Sequence, residues 1–167
     1  MSKKRLSMVG AGLIALLLAT ASLLQPSAAQ EPPPPIATEI LSPRSVFTDN
    51  VDLKFKVKLS GQSTKVVNLK DPSRTVTAKF TIQPGARFPW HTHYGPVIVN
   101  VVAGELVYVD SEDCVERPYP AGTAFVDLGH GHVHTAFNRT GGVTVLMGTF
   151  FEAPAEGSLL IPAEPGC

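Results

Sequence analysis

A chain of 167 residues with 44% hydrophobic and 17% charged side chains can bury a sizeable single core and is too apolar for a disordered protein. Its formal net charge is zero, and with no basic stripe along it a nucleic-acid binder is excluded. Lys3, Lys4 and Arg5 precede an uncharged apolar run from Val9 to Leu18, and Ser27-Ala28-Ala29 supplies small residues for cleavage. Residues 1–29 therefore read as a secretory signal peptide, which gives an exported, periplasmic or extracellular protein. The competing reading is an uncleaved anchor, since Leu6 to Leu24 carries no charge. With cleavage no stable membrane anchor remains. Losing three of the 14 basic residues leaves 11 against 14 acidic ones, a net charge of −3.

Residues 30–45 form a Pro-rich N-terminal segment, with Pro32 to Pro35 as a stiff polyproline spacer. A single domain is expected over 46–167. Its first strand alternates strictly, with Val51, Leu53, Phe55, Val57 and Leu59 apolar and Asp52, Lys54, Lys56 and Lys58 between them. A shorter strand covers Lys65 to Leu69, and a third places Val76, Ala78, Phe80 and Ile82 inward. A fourth is expected over 87–93, followed by Val97 to Ala103, Leu106 to Val109, Thr123 to Val126, His132 to Asn138 and Val143 to Phe151. No segment has helical periodicity, and short strands punctuated by Gly and Pro predict an all-β barrel or sandwich. The immunoglobulin pattern is absent, because Trp90 precedes both cysteines.

Two cysteines in an exported chain favour one disulfide, Cys114 to Cys167, which would tie the tail to the body of the domain. The alternative is a pair of free or intermolecular thiols. Neither cysteine has a Cys or His partner at ligand spacing, so a structural role is expected.

All five histidines lie between positions 91 and 134. On an extended segment His91 and His93 would present two imidazoles to one face, about 7 Å apart along the strand. Clustered neutral imidazoles commonly bind a divalent metal. A third ligand must then come from His130, His132 or His134.

These residues resemble the motifs of the cupins, a jelly-roll family. Gly85, five residues, His91-Thr92-His93, three residues, Val97, six residues and Gly104 match the spacing of the first cupin motif. Gly129-His130-Gly131, His134 and Asn138 resemble the second, with glycine in place of its proline. The resemblance covers roughly residues 70–150. It implies a cupin-type jelly-roll barrel with His91, His93 and His134 converging on one divalent transition metal; iron, manganese, zinc, nickel and copper all remain open. It further implies a small-molecule substrate or ligand and, through edge strands, a homodimer.

The family's glutamate ligand is replaced by Val97. Three neutral imidazoles would leave the ion's charge uncompensated and a position open, which favours anionic or chelating substrates. Among cupins such a set looks like that of certain thiol and diketone dioxygenases. An isomerase or lyase is equally open, as is a non-catalytic module binding a small ligand. His132 shares parity with His134 and is a candidate extra ligand; the alternative puts it at the barrel mouth. Arg87, Trp90, Tyr94 and Phe137 are candidates for the substrate pocket, and Asp127 and Glu105 for acid–base groups.

Overall fold

The computed structural model describes residues 35–167. The expected signal peptide lies outside the described residues. The strands are β1 (Ile36–Ile40), β2 (Asp52–Val57), β3 (Lys65–Lys70), β4 (Thr75–Ile82), β5 (His91–Thr92) and β6 (Val97–Ala103). They continue with β7 (Glu105–Asp110), β8 (Glu116–Pro120), β9 (Ala124–Asp127), β10 (His134–Phe137), β11 (Thr144–Phe151) and β12 (Ile161–Pro162). All pairings are antiparallel.

One five-stranded sheet has the order β1-β4-β11-β6-β9, a second the order β12-β5-β10-β7-β8, and β2-β3 forms a separate hairpin. Without the edge strands β1 and β12, the eight strands from β4 to β11 divide as 4-11-6-9 against 5-10-7-8. That division is the two interlocked Greek keys of a jelly roll. The fold is all-β.

Alternation explains the inner faces. Along β4, Val76, Ala78, Phe80 and Ile82 are buried while the residues between them are not. Leu146 and Phe150 of β11 and Val97 and Val101 of β6 join them, and Leu106, Tyr108 and Ala136 face them from the other sheet. Each large apolar side chain so buried is worth about 1.5–3 kcal/mol.

Several boundaries depart from the expectation. Ile36–Ile40, expected within the Pro-rich segment, form an edge strand on β4. The strand expected over 87–93 contracts to His91–Thr92. Pro89 breaks its ladder and Gly95-Pro96 ends it, although Phe88 N still donates to Ala136 O at 2.9 Å alongside β10. Strands β8 and β12 are not among the expected strands, and they carry Pro118, Pro120 and Pro162. Both lie at sheet edges, where a missing N–H costs no ladder bond. Among the described residues no helix is long and apolar enough to cross a membrane.

Cys114 and Cys167 are disulfide-bonded across a separation of 53 residues. On the chain-entropy model a loop of that length contributes roughly 4 kcal/mol. Cys167→Ser should therefore lower the unfolding free energy by about that much in urea titrations.

Candidate metal centre

Three strand ends of one sheet build the centre. His91 in β5 and His134 in β10 are direct cross-strand partners, and His93 follows two residues after His91. All three are buried, with ring centroids 4.2 Å apart for His91–His134, 4.9 Å for His91–His93 and 5.2 Å for His93–His134. One nitrogen from each lies within 4.8 Å of the others.

Each ring is held by its Nδ1. That of His91 is 2.7 Å from Pro89 O, that of His93 2.9 Å from Leu159 O, and that of His134 2.8 Å from the Asp127 carboxylate. All three partners are acceptors, so each Nδ1 carries the proton and each Nε2 keeps its lone pair. Histidines that ligate metals are oriented in this way. Burial, reinforced by the neighbouring imidazoles of His134 and His93, lowers the His91 pKa from 6.5 to about 3. Burial also lowers His93. The donor set therefore fits a divalent transition metal.

Asp127 is the charged member of the surroundings. Burial alone would raise its carboxyl, but His134, His93 and the N–H of Gly129 (2.6 Å) hold it well below the usual carboxylate range. Tyr108 donates its hydroxyl to the same carboxylate at 3.2 Å and stacks on His134 with centroids 5.0 Å apart. Burial raises the Tyr108 phenol, so it stays a proton donor. The turn after Asp127 is tied to the site as well. Gly129 has φ +57°, and a Cβ there would meet Gly95 O at 2.1 Å, so no side chain fits. That close approach lets His130 N donate to His93 O at 3.0 Å.

The imidazoles open into a cavity with about 50 Å³ of space for water centres. At roughly 10–15 Å³ each, it takes a few waters or a small molecule. Phe80, Phe88, Leu106, Phe125, Leu146 and Phe150 supply most of its wall. Val97, standing where the cupin motif has glutamate, lines the same cavity and is 1% exposed.

The expected pocket residues do not line this cavity. Arg87 is exposed and lies 3.8 Å over the ring of Phe137, held there by cation–π attraction rather than turned inward. Tyr94 is 46% exposed, and Trp90 and Phe137 lie outside the cavity wall. For Arg87 the Pro89 break is the reason, since it ends the parity with His91 that an unbroken strand would give. Trp90 and Tyr94 alternate with His91 and His93 and so fall on the other face. His132 is not part of the trio; it packs beside Asp110, Glu112 and Lys65. His130 is exposed and pairs with Glu152 at 2.8 Å. Glu105 pairs with Arg139 on the surface. Asn138 is fully buried and donates to Ile82 O and Gly142 O. Tyr108 was missed, although its spacing from Leu106 signals an inward position on β7.

No protein-family model and no curated protein matches the chain. Among solved structures it is similar to KdgF from Halomonas sp., at 17% identity over 72% of this chain and 82% of that one, TM-score 0.46. It is similar to a cupin superfamily protein from Desulfitobacterium hafniense, at 13% identity over 63% and 81%, TM-score 0.42. It is also similar to the polyketide cyclase RemF from Streptomyces resistomycificus, at 18% identity over 49% and 55%, TM-score 0.43. The chain thus spans about half the length of RemF. The strand order already carries the fold, and these likenesses stand beside it. The barrel is a jelly roll.

The neutrality of His91 has a consequence for stability. In the unfolded chain the ring takes a proton near pH 6.5, whereas in the fold it refuses one until about pH 3. The unfolded state binds more protons between those values, so this ring makes the metal-free protein less stable as pH falls from 6.5 towards 3. Denaturant titrations at pH 6.5 and 5 should show His91→Gln losing less stability than the parent. The difference should approach about 1.4 kcal/mol per pH unit.

Proposed function

We propose that the chain is an exported cupin that holds one divalent transition metal on His91, His93 and His134 and acts there on a small molecule. The observation that carries this is the convergence of three imidazoles inside an apolar cavity, each fixed by a partner on Nδ1. The Cys114–Cys167 bond supports export, since disulfides persist in oxidising compartments.

The bound ion would supply a Lewis acid or a redox centre. The chain's own residues set what can reach it. Val97 adds no charge or ligand, so a donor atom of the substrate can approach from its side. Phe88, Phe125 and Phe150 exclude water and favour an apolar body on that molecule. Arg87 is engaged with Phe137, and among the described residues no Lys or Arg lines the cavity. The substrate is therefore a small, mostly apolar molecule whose anionic or chelating group is met at the imidazoles, and the reaction is of the oxidoreductase (dioxygenase) or isomerase type. Asp127 orients His134, and Tyr108 keeps its own proton while donating a hydrogen bond to the Asp127 carboxylate.

A non-catalytic binding module is the second reading. It is favoured by one feature: Asp127 and Tyr108, the cavity's other ionisable groups, are engaged with each other and with His134. Titrating metal-loaded and metal-free protein with acetylacetone separates the cases. Binding that needs the metal supports the centre, and binding unchanged by metal removal contradicts it. Oxygen uptake or product formation by the loaded protein then selects the enzyme, and tight binding without turnover selects the module.

A further inference from the structure

His132 belongs to a second cluster that the interior centre does not use. It stands with Asp110, Glu112 and Lys65 on the flank of the second sheet. One donor atom from each of Asp110, Glu112 and His132 lies within 4.8 Å of the others. Asp110 ends β7 and is fully buried, so its carboxylate cannot turn to water. Its Oδ1 accepts the N–H of Glu112 at 2.8 Å, which folds the Asp110-Ser111-Glu112 turn back on itself. Its Oδ2 is 3.1 Å from His132 Nδ1, yet among the described residues neither atom has a hydrogen-bond partner. The ring N–H does not point along that line.

Two buried donor atoms close together but off the hydrogen-bond axis have a familiar cause. Ligands bound about 2.1 Å from one ion, at angles between square and tetrahedral, stand about 3.0–3.4 Å apart. The Asp110–His132 spacing falls in that interval. The positive charge now nearest is Lys65, whose Nζ contacts Glu112 and lies 2.6 Å from His132 Nε2. An ammonium at that distance meets an unprotonated Nε2, whereas the Asp110 carboxylate beside the ring raises its pKa and favours the protonated form, so a metal must displace both Lys65 and a ring proton. Lys65 nevertheless leaves Asp110 Oδ2 without a hydrogen bond. Beside His132 a small recess, walled by Val57, Leu59, Gln62, Ser63 and Lys65 among others, has room for roughly one water; Asp110 and Glu112 stand outside its wall.

We propose that Asp110, Glu112 and His132 form a second divalent-cation site, latched by the Lys65 ammonium when no metal is bound. The donors are preorganised: Ser111 N donates to Val133 O at 3.0 Å, and the Cys114–Cys167 bond holds the end of the same loop. Metal binding displaces Lys65 and the Nδ1 proton. It therefore weakens as pH falls. The site takes none of its donors from the interior trio, although Asp110 is the cross-strand partner of His134, and it does not rest on the function proposed above.

Calorimetric titration of the full chain with zinc tests it. The expected isotherm has two classes of site. His132→Ala should remove the weaker class and leave the tighter one, and His134→Ala should do the reverse. Asp110→Asn keeps the side chain's shape and should likewise lose the weaker class, guarding against a variant that merely misfolds. Lys65→Met should strengthen that class by about tenfold, because a competing charge has gone. A single class of site that His132→Ala leaves untouched overturns the proposal. So does Lys65→Met protein that binds no second zinc, which would make the cluster an ordinary ion-pair network.

Discussion

His134→Ala should weaken metal binding at the interior centre by at least about a hundredfold, beyond the range seen on losing an outer-shell partner. The substitution removes a ligand that pairs directly with His91 across β5 and β10. It also strands Asp127, whose buried carboxylate would keep only the Tyr108 hydroxyl and the Gly129 N–H. Losing a hydrogen bond to a buried carboxylate destabilises the fold, so the variant should lose about 1.5–3 kcal/mol as well. Zinc titration reads the first effect and urea unfolding the second. Affinity retained within a few-fold would remove His134 from the ligand set. His130→Ala should change neither quantity, because His130 is exposed and pairs with Glu152.

Asp127→Asn should cost about 10- to 100-fold in metal affinity with little change in shape. His91 and His93 rest on the neutral carbonyls of Pro89 and Leu159, whereas His134 alone rests on a carboxylate. An amide there can turn its NH₂ to Nδ1, which moves the imidazole proton to Nε2 and blocks the ligating nitrogen. It also removes the negative charge nearest the centre, which has no glutamate ligand to replace it. Adding Val97→Glu to Asp127→Asn should recover part of the lost affinity, since position 97 lines the cavity shared by the three histidines. That double variant should bind acetylacetone more weakly than the parent, because the approach from the Val97 side is closed. Equal metal affinity in the parent and in Asp127→Asn would show that the carboxylate serves packing alone.

The sequence carried the inward faces well and the edges poorly. Val76 to Ile82 is legible because a two-residue period survives where one face packs inward and the other does not, and Val97 to Ala103 because an apolar β-branched run of that length suits a strand. Ile36–Ile40 and Ile161–Pro162 are short edge strands whose pairing depends on distant partners, Ile82 to Ala78 for the first and Thr92 and His91 for the second. No local period announces them. The grouping of His91, His93 and His134 was readable from motif spacing, but the reason their rings point inward was not. Nδ1 partners such as Leu159 O lie 66 residues from the ring they hold. Arg87 does not line the cavity because Pro89 breaks its parity with His91, and Trp90, one residue from His91, lies outside the cavity wall. His132 failed as an interior ligand because it precedes β10, in the turn where alternation has not begun. Asp127 was named as an acid–base group; its contact with His134 assigns it to orientation instead.

Elemental analysis combined with X-ray absorption on protein purified from the exporting compartment tests the central claim most directly. The account predicts about one divalent transition ion per chain with imidazole nitrogen in its first coordination sphere, lost in His134→Ala. Protein that arrives free of metal and takes up neither iron, manganese, zinc, nickel nor copper at the interior histidines would contradict it.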